Sequence, residues 1–187
     1  MGLTGNISPE IGNLINLEYL FLHGNELIGE IPEEIGNRVN LKYLYLYDNE
    51  LTGSIPETIG NLSSLTYLTL NSNQLTGRIP KTIGNLNKLK HLILNDNQLR
   101  GIAPSNLCDL PNLSKISLQN NNLCPSYPSC ISSIGNQNTS KCHFPDIYEI
   151  SPAEPVPGQM VTLTGINFGS PFAATTVNYY QNENVNE

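Results

Sequence analysis

The sequence contains no tryptophan, few charged residues and no long apolar run. Charged side chains make up 13% of the 187 residues, whereas hydrophobic residues reach 39%, which is enough for a buried core and argues against disorder. No stretch approaches the roughly 18 apolar residues of a membrane-spanning helix. The N-terminal residues also lack the basic and apolar regions of a signal peptide. We therefore expect neither a membrane span nor a signal peptide in this stretch of chain.

Charge is distributed unevenly along the chain, whose net charge is −7. Residues 1–60 carry nine acidic and two basic side chains, residues 61–143 two acidic and seven basic, and residues 144–187 five acidic and no basic. Duplex nucleic acid is bound through many cations on one surface. We therefore expect no nucleic-acid partner and interpret the basic middle as an ordinary solvated face.

A repeat of 24 residues is the dominant signal in the sequence. It runs through five registers without insertion, and it defines a leucine ladder, an asparagine ladder, a glycine ladder and a proline ladder. The ladders are Leu17, Leu41, Leu65, Leu89 and Leu113; Asn25, Asn49, Asn73, Asn97 and Asn121; Gly5, Gly29, Gly53, Gly77 and Gly101; and Pro32, Pro56, Pro80 and Pro104.

Each repeat contains a segment in which leucines alternate with other residues, as in Tyr19-Leu20-Phe21-Leu22-His23. This alternation predicts a half-buried strand. One such strand cannot bury its own leucines, so Leu44 and Leu46 of the next coil are expected to cover Leu20 and Leu22. Five parallel strands would then span about 19 Å.

The asparagine and glycine ladders have structural interpretations. Asn25 and its equivalents follow the strand, where their amides can satisfy backbone groups that the turn leaves unpaired; leaving one buried and unpaired costs roughly 1–3 kcal/mol. Gly29 and its equivalents are expected to allow tight bends. The following Ile-Pro pair is expected to close the turn with isoleucine inside.

The repeat unit L-x-x-L-x-L-x-x-N-x-L-x-G-x-I-P-x-x-I-G-N-L-x-x resembles the plant-type leucine-rich repeat of receptor-kinase ectodomains and polygalacturonase-inhibiting proteins over residues 3–131. The resemblance implies an α/β solenoid: a right-handed superhelix with a parallel β-sheet on its concave face. The departures are Arg38 in place of leucine, Ala103 in place of isoleucine, and Cys108-Asp109 in place of Gly-Asn.

Three segments are expected along the chain: leucine-rich repeats over 1–123, a cysteine-containing cap over 124–143, and a different domain over 144–187. Met1 aligns with the asparagine position of a preceding repeat, so we expect the repeats to be truncated at their N-terminal end. From residue 145 the chain resembles the opening strands of an IPT/TIG immunoglobulin-like domain, with Val161 and Leu163 alternating with threonine and with Gly165 and Gly169 at turns. An incomplete all-β segment is expected there.

The four cysteines lie between residues 108 and 142, which favours two disulfides and an oxidising compartment. Three pairings are possible. The resemblance to polygalacturonase inhibitors favours Cys124–Cys130, which leaves Cys108–Cys142. A zinc site formed by Cys124, Cys130, Cys142 and His143 is the alternative, although its first gap is wider than zinc sites normally use. We expect no metal and no cofactor.

Four glycosylation sequons occur, and three of them are the expected sites: Asn61, Asn112 and Asn138. The fourth, at Asn6, is followed by Pro9 and is the poorest candidate. With the cysteines, the sequons favour an extracellular or cell-surface location.

Function is expected at the strand positions that alternate with the leucines, where five of the nine tyrosines fall. Exposed aromatic clusters often mark binding surfaces, and tyrosine and histidine add polar tips. The alternative is that these aromatics only pack across strands. The predicted ligand-binding residues are Tyr19, Phe21, His23, Tyr43, Tyr45, Tyr47, Tyr67, Thr69, Asn71, His91, Ile93 and Asn95.

An enzyme is not expected. His23 and Asp48 can approach each other from adjacent coils, but no nucleophile motif, phosphate loop or metal cluster accompanies them, and an open sheet does not exclude water. The predicted function is recognition of a protein, peptide or glycan ligand. The alternatives are a structural or adhesion stalk extended by IPT-like domains, and an inhibitor of a wall-degrading glycosidase.

Overall fold

The computed structural model of the protein describes residues 2–131, 133–142, 146–151, 160–166 and 175–178. The chain forms two compact units, Met1–Thr139 and Ser140–Glu187. The first unit contains the repeats and the second contains antiparallel strands. The predicted boundaries after residues 123 and 143 stay predictions.

Short strands and single-turn 3₁₀ helices alternate along the first unit. Its strands are β1 (Thr4–Asn6), β2 (Tyr19–Phe21), β3 (Glu26–Glu30), β4 (Tyr43–Tyr45), β5 (Glu50–Thr52), β6 (Tyr67–Thr69), β7 (His91–Ile93), β8 (Arg100–Ile102), β9 (Lys115–Ser117) and β10 (Asn122–Cys124). Its 3₁₀ helices are η1 (Pro9–Asn13), η2 (Glu33–Asn37), η3 (Glu57–Asn61), η4 (Lys81–Asn85) and η5 (Ser105–Asp109), and a further 3₁₀ turn, η6, spans Thr139–Lys141.

The strands of successive repeats pair in parallel. One sheet has five strands in the order β2-β4-β6-β7-β9, and its register aligns residues 24 positions apart. On another side of each coil, β1, β3 and β5 form a second parallel sheet, and β8 pairs with β10. The predicted parallel strands are therefore present. The right-handed superhelical sense and the concave position of the sheet stay predictions.

The return segment of the coils differs from the α-helix that an α/β class suggests. In the described residues every helix is a 3₁₀ helix of three to five residues. The hydrogen bonds Ile35 N–H to Pro32 O and Arg38 N–H to Ile35 O, of 3.1 and 3.0 Å, are i to i+3 bonds. A segment this short has no room for a stable α-helix.

The core is a stack of leucine and isoleucine side chains contributed one coil at a time. Leu44 and Leu46 are fully buried, as predicted, and Leu20 is 8% exposed. Leu22, in the first coil, is half-buried and packs against the core. Burying a leucine side chain contributes about 1.5–3 kcal/mol, so each coil gains stability chiefly from the coils on either side of it.

The asparagine ladder bonds backbone groups of its own turn and also links each coil to its neighbour. Asn73 donates from Nδ2 to the carbonyl oxygens of Leu46 (2.9 Å) and Leu70 (3.1 Å), and its Oδ1 accepts from Leu51 N–H (3.0 Å). One amide therefore satisfies groups on two successive coils. The same arrangement recurs at Asn49, Asn97 and Asn121.

Gln137 completes this ladder at the C-terminal end, which the sequence did not reveal. Its Oε1 accepts from Leu123 N–H (3.0 Å), and its Nε2 donates to Leu118 O (2.8 Å). The residue lies 16 positions after Asn121 rather than 24, so it falls outside the repeat register. The capping segment thus replaces the asparagine of a further repeat with a glutamine.

The glycine ladder adopts the backbone conformation expected of tight bends. Gly29, Gly53 and Gly77 have φ of 76°, 72° and 74°, a region that side chains disfavour. At Gly53 a Cβ atom would also lie 2.6 Å from Cγ of Glu30 in the preceding coil. The glycine is needed both for the bend and for the close approach of coils.

The predicted disulfide pairing is wrong. Cys108 is bonded to Cys130, with a Cα–Cα distance of 5.4 Å, so neither Cys124–Cys130 nor Cys108–Cys142 is formed. Cys124 and Cys142 are also disulfide-bonded, which removes the thiolates that a zinc site would require. His143 lies outside the described residues. Cys108 is one coil upstream of the cap, and the bond fastens η5 to the segment that follows β10.

The second unit contains β11 (Asp146–Ser151), β12 (Met160–Ile166) and β13 (Thr175–Asn178), which form an antiparallel sheet in that order. Val161 and Leu163 lie in β12, where strand alternation was predicted. Gly165, expected at a turn, lies instead within β12 and pairs with Ile147 of β11. Gly169 lies outside the described residues, and the IPT/TIG identity stays a prediction. No helix in the described ranges is long and apolar enough to cross a membrane.

We predict that Asn73→Ala lowers the free energy of unfolding by about 2–4 kcal/mol, because Leu51 N–H and Leu46 O lose their shared partner inside the stack. Urea unfolding followed by circular dichroism measures the change. Asn71→Ala is the matched control, since the Asn71 amide donates to Ser72 Oγ at 3.3 Å and satisfies no buried backbone group; its cost should stay below about 0.5 kcal/mol. Equal losses in the two variants would contradict a structural ladder.

Arg38 stands where the repeat has leucine, and its side chain is only 6% exposed. The equivalent Leu62 and Leu86 are fully buried. Nε and Nη1 of Arg38 are buried without a hydrogen-bond partner. Burying a guanidinium in this position lowers the stability of the fold, because no hydrogen bond or ion pair to these nitrogens offsets their desolvation.

We predict that Arg38→Leu stabilises the protein by about 1–4 kcal/mol, because it exchanges an unpaired buried cation for the side chain that the stack repeats. The thermal midpoint and the urea midpoint should both rise. Arg38→Lys keeps the charge and should give no comparable gain. A destabilised Arg38→Leu variant would show that the guanidinium has a stabilising partner.

Candidate ligand-binding surface

Three columns of side chains stand on the five-stranded sheet, opposite the buried leucines. The register places Tyr19, Tyr43, Tyr67, His91 and Lys115 in one column, and Phe21, Tyr45, Thr69, Ile93 and Ser117 in the next. Backbone bonds such as Gly24 N–H to Tyr47 O (3.0 Å) continue the pairing beyond the strands. They align His23, Tyr47, Asn71, Asn95 and Gln119 as the third column.

The aromatic members of these columns form one contiguous cluster, here called the aromatic surface: Tyr19, Phe21, His23, Tyr43, Tyr45, Tyr47, Tyr67 and His91. Ring centroids of Tyr43 and Tyr67 are 4.7 Å apart at an interplanar angle of 7°. Tyr19 stacks on the other side of Tyr43 at 5.2 Å, and His23 stacks on Tyr47 at 4.5 Å. These separations match the strand spacing of a sheet, so the backbone register sets the stacking.

Stacking covers ring faces but leaves much of the cluster in contact with solvent. Tyr19 and Phe21 are 51% and 52% exposed, and Tyr43, Tyr45, Tyr47 and Tyr67 are half-buried. The rings therefore pack across strands, as the structural alternative proposes, and also remain accessible. Aromatic pairs contribute about 0.5–1.5 kcal/mol beyond area burial, and so the stacking stabilises the arrangement of the rings.

The surroundings of Tyr45 favour its neutral phenol. Burial, followed by the neighbouring phenols of Tyr43, Tyr67 and Tyr47, raises the pKa of Tyr45 above its ordinary value of 10.0. Tyr45 thus remains a hydrogen-bond donor at physiological pH. Beside the cluster, Lys42 Nζ and Glu18 Oε2 form an ion pair of 2.7 Å, and the hydrogen bond to Glu18 raises the pKa of Lys42.

The remaining predicted site residues lie on the same sheet but make a polar area next to the aromatic one. Asn95 Oδ1 accepts from Ser117 Oγ at 3.0 Å, and Ser117 also bonds Gln119 Oε1 at 2.7 Å. Thr69 and Ile93 are half-buried between the two areas. The sheet therefore changes from three rings in each of the coils of β2 and β4, to one ring on each of β6 and β7, and to a column set without rings at β9.

The turn after each strand has a left-handed residue, and its charge differs between coils. Asp48, Ser72, Asp96 and Asn120 have φ of 54–55°, and Gly24 has 65°. The carboxylate of Asp96 accepts hydrogen bonds from Asn95 Nδ2 and Asn120 Nδ2. Among the described residues, no hydrogen bond or ion pair reaches the carboxylate of Asp48, although it borders the aromatic surface directly after Tyr47.

The arrangement does not assemble acid–base chemistry. The ring of His23 contacts Phe21, Tyr45 and Tyr47, and in the described part of the chain no hydrogen bond joins it to Asp48. In the same residues no group of three or more His, Cys, Asp or Glu side chains is placed to hold a metal ion.

Solved structures of plant receptors resemble this chain. The ectodomain of GASSHO1/SCHENGEN3 from Arabidopsis thaliana, in complex with CASPARIAN STRIP INTEGRITY FACTOR 2, is 42% identical with a TM-score of 0.63, covering 64% of this chain and 14% of that one. The Arabidopsis receptor kinase HAESA, in complex with the peptide hormone IDA and the co-receptor SERK1, is 36% identical with a TM-score of 0.67, covering 71% and 22%.

A plant ice-binding protein is also similar, at 37% identity and a TM-score of 0.62, covering 65% of this chain and 40% of that one. The chain thus spans well under half the length of each of these proteins. Comparison with curated protein sequences finds no match. The family model described as a leucine-rich repeat region matches residues 3–139. The periodic core, the asparagine ladder and this match agree, and the chain belongs to the leucine-rich repeat family.

Proposed function

We propose that the chain is a recognition module that binds a peptide or protein segment on the aromatic surface, and that it has no catalytic role. The observation that carries the proposal is the stacked, partly exposed cluster of eight rings on a rigid sheet. Aromatic side chains supply much of the affinity at protein interfaces because they offer large contact area and polar tips. A surface that is already ordered also loses little entropy on binding.

A peptide fits the dimensions and chemistry of the sheet. Five strands at about 4.8 Å spacing offer about 19 Å of surface, the length of five or six extended residues. The aromatic and amide areas would receive apolar side chains and backbone groups respectively. HAESA was solved in complex with the peptide hormone IDA, and a further similar structure is the plant peptide hormone receptor RGFR1 in complex with RGF2, which supports a peptide here over the glycan alternative.

The fold alone does not choose this function, as the similarity to an ice-binding protein illustrates. A structural or adhesion stalk and a glycosidase inhibitor are the other candidates. The strands β11 to β13 after the repeats are the observation that favours the stalk. In a stalk, however, the repeats act only as a spacer, so this function does not explain why the rings of the aromatic surface are exposed.

The proposed location is extracellular or at the cell surface, where disulfides persist. We predict that expression through a eukaryotic secretory pathway attaches N-linked glycans to Asn61, Asn112 and Asn138, all of which are exposed. Mass spectrometry before and after peptide N-glycosidase treatment measures occupancy, and Asn→Gln variants assign each site. An unchanged mass at all three would contradict the prediction.

We predict that Tyr45→Ala combined with Tyr47→Ala lowers ligand affinity about tenfold or more, because two central rings are removed. Peptides selected from a phage-displayed random library, and glycans on an array, supply the ligands, and affinity is measured against both proteins. Thr52→Ala on β5, an exposed residue of the second sheet, is the control and should change nothing. Circular dichroism checks folding.

Ligands that bind the double variant as tightly as the unchanged protein would remove the aromatic surface from the binding site. Tyr45→Phe separates the contribution of the ring from that of the hydroxyl, because it keeps the ring and removes the hydroxyl. An intermediate loss in this variant assigns part of the affinity to hydrogen bonding by the phenol.

A further inference from the structure

The border of the aromatic surface in its first repeats carries acidic side chains without counterions. Asp48 follows Tyr47, and Asp48 O accepts from Asn25 N–H at 3.1 Å, which places Glu26 beside it on the adjacent coil. Glu50 follows on the same turn. All three carboxylates are exposed, and no ion pair to them is formed by any residue that the structure describes.

The two cations within residues 1–60 do not neutralise this border. Arg38 is buried in the stack, and Lys42 is paired with Glu18 at 2.7 Å. Eight of the nine acidic side chains in this range are exposed, and the ninth, Glu18, is the one paired with Lys42, so the local field is negative. Such a field attracts a ligand of opposite charge and increases its rate of association.

The charge at position 48 is not required by the turn that contains it. Gly24 and Ser72 occupy the same left-handed position in the neighbouring coils without charge. Asp96 does carry a charge there, but two amides hold its carboxylate. Asp48 alone combines a carboxylate that lacks a described partner with a place next to the rings. Gly24 has no side chain, which leaves the approach to Asp48 open from that coil.

Stacking also limits what the rings themselves can offer a ligand. Both faces of Tyr43 are covered, by Tyr19 and by Tyr67. The exposed parts of Tyr43 are therefore its ring edge and hydroxyl, which are poor sites for a cation compared with a ring face. A carboxylate is the stronger partner for a cationic group beside this ring, and the border provides it.

We propose that Asp48 is the ionic anchor for a lysine or arginine side chain of the peptide bound on the aromatic surface, with Glu26 and Glu50 strengthening the field. This inference rests on the proposed function, since the apolar part of the same peptide lies on the rings. The partner is thus a basic peptide segment in which apolar and cationic residues alternate.

Three capped synthetic hexapeptides test the charge preference: alternating leucine and arginine, leucine and glutamine, and leucine and glutamate. A neutral β-linked glucose hexamer is the fourth probe. Binding to the full chain is followed by NMR of the tyrosine ring resonances, with Kd from titration. The arginine peptide is expected to bind about fivefold or more tightly than the glutamine peptide, and added salt should reduce the difference.

Asp48→Asn supplies the decisive variant, because asparagine tolerates the same left-handed turn. It should weaken the arginine peptide about three- to fivefold and leave the glutamine peptide unchanged. Asp96→Asn is the matched control and should alter neither affinity by more than about twofold. Equal effects of the two variants, or tighter binding of the glutamine or glutamate peptide, would overturn the ionic anchor.

The outcomes also separate this inference from the proposed function. If the glutamine peptide binds as tightly as the arginine peptide and Tyr45→Ala weakens both, the aromatic surface remains the binding site and the ionic anchor fails. If the glucose hexamer binds more tightly than every peptide, a glycan is the ligand and the inference fails. If no probe shifts the ring resonances of Tyr45 or Tyr47, both proposals fall.

Discussion

Every part of the repeat unit depends on keeping successive coils in a register of 24 residues. A coil cannot hide its leucines alone, so Leu44 and Leu46 remain buried only while the neighbouring coils lie directly against them. The asparagine ladder enforces that register with directional bonds, because each amide spans two coils. Apolar burial supplies the larger energy, whereas the amides specify the alignment, since a slip of one residue would leave polar groups unpaired.

The same register determines the chemistry of the sheet. Because residues 24 positions apart become neighbours, an aromatic residue repeated at one position becomes a column of stacked rings. The centroid distances of 4.7 and 5.2 Å on either side of Tyr43 follow from strand spacing. Where the repeated position changes, the column changes with it: His91 meets Tyr67 edge-on, and at Lys115 the column of rings ends. The residues that recur every 24 positions in the sequence therefore determine which side chains lie next to each other on the sheet.

Features set by periodicity were predictable, and features set by single residues were not. The buried leucines, the asparagine bonds and the alignment of Tyr19, Tyr43 and Tyr67 all follow from the period. The pairing of Cys108 with Cys130 depends on the path of the cap, which has no repeat to define it. Gln137 was missed for the same reason. The difference between Asp48 and Asp96 depends on two amides, Asn95 of the same coil and Asn120 of the next, which reach the carboxylate of Asp96 only.

Cross-strand packing and ligand binding are usually treated as competing explanations of aromatic residues on the open face of a sheet. Here the packing determines which parts of the rings a ligand could reach. Packing orders the rings and covers their faces, so it stabilises the sheet and lowers the entropic cost of binding. At Tyr43, whose two faces are both covered, it also removes the ring faces as sites for cations. What remains for recognition is the apolar edge, the phenol hydroxyl and the carboxylate border. Affinity on this surface should then come from contact area, and selectivity from charges beside the rings rather than from the rings themselves.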